Sequence, residues 1–403
     1  MTQGTTLRSG VLRALLGAGT ALSAVGLCAI PAAHALTAPT PVTFDGGPLG
    51  KLTLSGGADG MAYALTGTGT GGQFGNSPST GFEFLNGLIE LQKTSGLVQF
   101  TLEVGARNTS ITLGTKPAPP SVQTFVTGPL IAGYVTLAPS AHFNISAGHI
   151  GSLEGYESGI DWQNANLLTT DMFYVENTNS TGVTATYTKG PVSGTLTFGD
   201  GFDTQQWNFL QGLVTVNFNA NNSLSVFGTT NLGTTGAGAH TYGGASTSYT
   251  NSFVGSGPFS AAPFINSTMV GAYYSYTIGN LNLVPEVQYV YAKPNSSVGL
   301  TQFSSNLGAA LFANYQFGKS PYSLGGWVEY FSSNGPDNWF LNPGAQGVGV
   351  SISPTWQHDH LFVRGDVGVI HLTNVGSTGA VGYGSNGTAR NQATFLIETG
   401  VLF

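Results

Sequence analysis

Thr394-Phe395-Leu396-Ile397-Glu398-Thr399-Gly400-Val401-Leu402-Phe403 closes the chain, and Phe395, Ile397, Val401 and Phe403 share one parity, with Thr399 between them. The facing set, Thr394, Leu396, Glu398, Gly400 and Leu402, is mixed and carries a carboxylate. Such a strand, ending on a carboxy-terminal aromatic, suits the last strand of a transmembrane β-barrel, where one face meets lipid and the other a polar lumen. An ordinary antiparallel strand with one buried face alternates in the same way. The rest of the chain has to decide.

Composition points the same way. Charged residues make up 7% of the 403, against roughly 25% in ordinary soluble domains. Hydrophobic residues reach 41%, which argues against disorder. The amino terminus has the anatomy of an export signal: Arg8 and Arg13, an uncharged Ala/Leu/Gly run from Ala14 to Ile30, then Pro31 and the small-x-small site Ala33-His34-Ala35. This gives a signal peptide over 1–35, removed after Ala35, and a barrel over 36–403. Cys28 leaves with the signal, so the mature chain has no cysteine for disulfides, thiolate metal sites or a nucleophile. Without Arg8 and Arg13, nine basic residues face 18 acidic ones, which excludes a nucleic-acid partner that needs a basic surface.

Period-two patterning extends through the chain. Val98, Phe100, Leu102 and Val104 alternate with Gln99, Thr101 and Glu103. Leu281, Leu283, Val287, Tyr289 and Tyr291 oppose Asn282, Glu286 and Gln288, and Val348, Val350 and Ile352 oppose Ser351 and Ser353. Sixteen segments read as strands, near 50–65, 82–92, 96–105, 129–138, 142–149, 181–188, 191–199, 209–219, 222–230, 267–277, 281–292, 305–317, 322–332, 346–357, 360–372 and 391–403. Tight turns such as Lys189-Gly190-Pro191, Gly279-Asn280 and His358-Asp359-His360 alternate with long Gly/Ser/Thr/Asn-rich loops, of which 150–180 and 231–266 are the longest. Strict alternation of short and long connections predicts an all-β, antiparallel outer-membrane barrel of about 16 strands, with short periplasmic turns and long extracellular loops. A soluble sandwich with Greek-key connections or a β-solenoid remains as the alternative.

More specific residues lie between Ile145 and Thr204: Ser146-Ala147-Gly148-His149-Ile150, Gly155-Tyr156-Glu157-Ser158, Thr181-Gly182-Val183-Thr184-Ala185-Thr186-Tyr187 and Gly199-Asp200-Gly201-Phe202-Asp203-Thr204. In this order they resemble the OmpL-like putative beta-barrel porin family, with His149 in place of the usual Lys and Phe202 in place of Trp. The resemblance implies a porin-like barrel and supplies no catalytic residues.

The loop 150–180 carries Glu154, Glu157, Asp161, Asp171 and Glu176 with no Lys or Arg. In sixteen-stranded general porins, which this pattern resembles, the third long loop narrows the lumen. These five are therefore the candidate pore constriction, and a solvated external loop is the alternative. Parity places Glu90, Glu103, Glu286, Glu329, Arg364, Asp366 and Glu398 on the polar, lumen-facing side, because an ionisable group at the lipid midplane costs up to ~2–4 kcal/mol. Arg364 and Asp366 could pair. Phe403, Val401, Ile397 and Phe395 form the candidate assembly signal, by resemblance the one read by the barrel-assembly machinery. His358 and His360 lack a third ligand, and no Ser sits in a G-x-S-x-G elbow. Catalytic, metal and cofactor residues are accordingly none.

The sequence thus predicts an outer-membrane channel for passive diffusion of small hydrophilic solutes and ions, with weak cation preference. Outer-membrane lipid, barrel-assembly machinery and small solutes are the expected partners, with a homo-trimer as the candidate assembly. A surface adhesin or binding module on a closed barrel is the alternative, and an outer-membrane hydrolase the third.

Overall fold

The computed structural model describes residues 36–107, 111–115, 128–177, 179–236, 262–376 and 382–403. The expected signal peptide 1–35 and much of the 231–266 loop lie outside these residues. Sixteen antiparallel strands follow in chain order: β1 (Lys51–Leu65), β2 (Thr80–Lys93), β3 (Val98–Arg107), β4 (Leu130–Leu137), β5 (Phe143–Gly151), β6 (Asn179–Lys189), β7 (Val192–Gly199) and β8 (Phe209–Asn219). They continue as β9 (Asn222–Asn231), β10 (Thr268–Ile278), β11 (Leu281–Ala292), β12 (Ser304–Gln316), β13 (Tyr322–Asn334), β14 (Ala345–His358), β15 (Leu361–Val375) and β16 (Asn391–Leu402). Each corresponds to one of the sixteen segments read from the sequence.

Every strand pairs with its sequence neighbours, and β16 returns to β1 in the register Ile397↔Ala62 and Leu402↔Gly57, which closes the sheet and removes its edges. Phe403 completes the seam: its N–H donates to Gly56 O and its carbonyl accepts from Gly56 N, both at 2.9 Å. A short strand, Val42–Asp45, pairs with Lys51–Leu54 just beyond this point. No helix among the described residues is long and apolar enough to cross a membrane, so crossing falls to the strands.

The two faces of the wall are the reverse of those of a soluble protein. Val348, Val350 and Ile352, Val363, Val367 and Val369, and Phe395, Ile397 and Val401 are exposed on the outer surface. On β16 the contrast is sharpest, with Ile397 57% exposed and its neighbour Glu398 fully buried. Aromatic side chains gather toward both rims: Phe218 with Tyr274 and Tyr315 with Phe317 at the short turns, Phe198 with Trp207 and Tyr291 with Phe303 at the long loops. Such girdles sit where a bilayer's headgroups meet its hydrocarbon.

The interior departs from a plain polar lumen. Val284, Val290, Phe312, Trp327, Phe331, Ile370 and Leu372 point inward and join a core with Leu113, Leu167, Leu168, Met172 and Val175 from loops. The physical reason is that two loops fold into the barrel. Residues 111–115 of loop 2 and residues 152–177 of loop 3 meet there through a parallel pair, Ile111↔Leu168 and Thr112↔Thr169. Apolar wall positions on the inner face exist to pack against them.

Candidate functional site in the barrel lumen

Loop 3 runs across the lumen, and its backbone is satisfied by the wall. A buried loop carries N–H and C=O groups that must find partners away from water. Leu153 N donates to Gln211 Oε1 on β8 at 3.1 Å, Tyr156 N to Glu286 Oε1 on β11 at 3.1 Å, and Asp171 N to Glu329 Oε2 on β13 at 2.8 Å. Leu167 N and Leu168 N both donate to Asp366 Oδ2 on β15 at 2.9 Å. In the other direction, Trp327 Nε1 donates to Leu168 O at 2.9 Å and Gln288 Nε2 to Met172 O at 3.1 Å. The wall carboxylates thus act first as acceptors for a buried loop.

The sequence motif around Gly155 now has a physical account. Gly155 has φ +68, the left-handed region that favours glycine, and a Cβ there would sit 2.0 Å from Glu176 Oε1 and push that carboxylate aside. Tyr156 packs its ring 5.0 Å from Phe312 and 5.7 Å from Tyr273. Glu157 accepts from the backbone and hydroxyl of Thr170, across the width of the loop. The Asp200–Thr204 stretch braces the same loop: Phe202 N donates to Asn177 Oδ1 at 2.7 Å, while Asp200 accepts from Thr181 N at 2.8 Å.

All five loop carboxylates lie inside. Glu154, Asp161, Asp171 and Glu176 are buried and Glu157 is partly buried. Burial pushes Glu154 and Glu157 up to about 8 and Asp171 up to about 7, because each loses hydration that its few hydrogen bonds do not replace. Glu176 is raised well above the usual carboxyl range by burial and then by the charge of Glu286. A cavity of ≈ 50 Å³ opens beside Glu157, bordered by Asn164, Asn314 and Trp327.

The seven wall residues Glu90, Glu103, Glu286, Glu329, Arg364, Asp366 and Glu398 are all buried on the inner face. Arg364 and Asp366 do not pair with each other. Arg364 binds Glu398 on the adjacent strand, with Nε and Nη2 both 2.7 Å from Oε2. Its Nη1 donates to Asp161 O at 3.2 Å and Asn164 O at 2.8 Å. Asp366 turns instead to loop 3 and to Ser351 Oγ at 2.5 Å. Sequence reasoning missed Asp59, Asn86 and Arg107. Asp59 accepts from Asn86 N at 2.8 Å, and Arg107 Nη2 donates to Asn179 Oδ1 at 2.7 Å. His358 and Asp359 lie 3.3 Å apart on an exposed turn, while His360 Nδ1 faces Leu402 O at 2.8 Å.

Residues 51–403 match the family described as putative beta-barrel porin-2, OmpL-like. The chain belongs to that family. It is an outer-membrane β-barrel porin, a porin-like channel, and such porins are typically non-enzymatic. The fold of this OmpL-like porin is similar to that of in-vitro folded OmpT of Vibrio cholerae, at a TM-score of 0.57 and 11% identity over 88% of this chain and 98% of that one. It is similar also to an anion-selective porin from Comamonas acidovorans, at 0.56 and 11% over 87% and 99%. A third likeness is to the outer-membrane channel DcaP of Acinetobacter baumannii, at 0.53 and 9% over 87% and 97%. No curated protein matches the chain.

Proposed function

We propose that this OmpL-like porin lets small hydrophilic solutes and ions diffuse passively across the outer membrane, with loop 3 as the constriction and a weak preference for cations. The observation that carries the reading is the sign of the interior. Among the described residues twelve buried carboxylates stand against two buried arginines, and both arginines already hold partners, Glu398 and Asn179. In a confined, low-dielectric passage the local field sets the entry barrier, and an acidic field favours cations. The Comamonas porin of similar fold is described as anion-selective, but 11% identity carries the fold alone. The side chains inside decide the sign.

Measured at pH 8, where these raised carboxyls begin to ionise, neutralising Glu154, Glu157 and Asp171 together (Glu154→Gln, Glu157→Gln, Asp171→Asn) is expected to lower the cation-to-anion permeability ratio severalfold, and near pH 6, where they hold protons, to change it little. The readout is the reversal potential in a salt gradient across a planar bilayer. The difference should shrink at high salt, as the Debye length falls from ~10 Å at 0.1 M to ~3 Å at 1 M. A folded triple variant with unchanged ion preference would leave the channel standing and remove loop 3 as its selectivity element.

The same reading has the barrel inserted by the barrel-assembly machinery and working as a homo-trimer in outer-membrane lipid, in keeping with the general porins its architecture resembles. It assigns no catalytic residue. Deleting Phe403 removes both hydrogen bonds at the β1 seam and the terminal aromatic. We expect this truncation to lower outer-membrane levels severalfold and to raise periplasmic degradation. Surface abundance equal to that of the full chain would count against a role for Phe403 in assembly.

A further inference from the structure

The seam between β16 and β1 gathers a second group of acids with a different geometry. Asp59 on β1, Asp161 on loop 3 and Glu398 on β16 each offer a carboxylate oxygen within 4.8 Å of the others, and all three are buried. One guanidinium, that of Arg364, faces the three, and it is committed to Glu398 Oε2. Calcium binds oxygens at ~2.3–2.6 Å, so ligands on opposite sides of one ion stand about 5 Å apart, whereas magnesium at ~2.0–2.1 Å draws them closer. Three oxygens within 4.8 Å of one another fit inside one calcium shell, and calcium's flexible geometry suits ligands fixed on a wall and a loop better than the near-ideal octahedron magnesium demands.

Two further atoms point to a missing ligand. Asn86 lies between the acids, its Nδ2 donating to Asp59 Oδ2 at 3.1 Å and to Asp161 Oδ1 at 3.0 Å. Its own Oδ1 is fully buried without a hydrogen-bond partner, as is Glu398 Oε1. A buried polar atom without a partner costs about 1–3 kcal/mol. Rotating the Asn86 amide brings its oxygen to where its nitrogen now sits, adding a neutral ligand to three acidic ones in exchange for its hydrogen bonds to Asp59 and Asp161.

We propose that Asp59, Asp161 and Glu398, with the amide oxygen of Asn86, bind one calcium ion that ties loop 3 to the closing seam of the barrel. The ion neutralises what Arg364 leaves over and supplies the partner that Glu398 Oε1 and Asn86 Oδ1 lack. The site does not depend on what the channel conducts.

The test uses the full chain in detergent, stripped with EDTA and titrated with Ca2+ by equilibrium dialysis, with Tb3+ luminescence as a second readout. One ion per chain is expected, with a dissociation constant on the order of 10⁻⁴–10⁻³ M. Trp162 adjoins Asp161, its backbone N–H donating to Asp161 Oδ1 at 2.6 Å, so its neighbouring indole should sensitise bound terbium. Trp162→Phe should lose most of the luminescence and keep Ca2+ binding. Asp59→Asn and Asp161→Asn should each weaken binding at least tenfold, while Asp359→Asn on an exposed turn should not. Absence of saturable binding by the wild type would overturn the proposal. So would luminescence that survives Trp162→Phe, or binding retained by folded Asp59→Asn and Asp161→Asn variants.

Discussion

Single-channel conductance is expected to rise severalfold as the pH is taken from about 6 to about 9, through ionisation of buried carboxyls. Glu154 and Glu157, raised by burial to about 8, and Asp171, raised to about 7, bind protons while loop 3 is seated. With the loop withdrawn into water, these groups return toward ordinary carboxyl values and release the protons. The seated form therefore holds more protons between the two ranges, and its stability falls as pH rises. The contribution is fully present below the ordinary carboxyl range and is lost as pH climbs through 7 to 8. Each unit of upward shift amounts to about 1.4 kcal/mol in favour of the protonated, seated loop. Ionisation has no relief nearby, since Glu176, Glu286 and Glu329 face the same space. Replacing Glu154 and Glu157 by Gln should flatten the profile. A wild-type conductance that ignores pH over this range would sink the idea.

Arg364→Met should be the most damaging single change in the lumen. The guanidinium is fully buried and holds Glu398 together with two loop-3 carbonyls. In EDTA, with no cation in reach, its loss leaves Glu398 unpaired beside Asp59 and Asp161, and breaking such a pair costs about 3–5 kcal/mol. The temperature at which the folded band converts to the unfolded one on a gel should fall clearly, and basal conductance should rise. The double variant Arg364→Met, Glu398→Gln separates the two roles. Barrel stability should largely return, because a buried ion pair replaced as a whole is often neutral. Loop seating should not return, because the Asp161 and Asn164 carbonyls still lack their donor. Equal recovery of both would show that Arg364 serves the wall alone.

The strands were legible because lipid on one side and a filled lumen on the other leave a period of two in almost every crossing. The inward side of Glu286, Glu329, Arg364 and Glu398 followed from parity. Their partners did not, since Arg364 meets Glu398 34 positions away through a register that local pattern does not encode. Asn86 was hidden by a β-bulge on β2: the register runs Asp59↔Asn86 and then Gly60↔Phe84, so Leu85 is the extra residue and the alternation breaks on that strand. Leu85 and Asn86 are accordingly buried in succession, and Asp59 is the residue opposite. The loop's entry did leave a mark. Val284, Val290, Phe331 and Ile370 sit at inward parity yet are apolar, which a simple water-lined wall has no use for.

The anchors of loop 3 also impose an order in time. The loop precedes most of the wall that receives it: Leu167 waits for Asp366, 199 residues later, and Asn166 for Ser351, 185 residues later. Closing spans of that length costs chain entropy before any contact repays it. The wall can zip up between neighbours one hairpin at a time, whereas the loop gains almost nothing until β11 to β15 are in place. A barrel in the making therefore carries an empty bore and an unclaimed segment bearing Leu167, Leu168 and Met172, and the segment settles last.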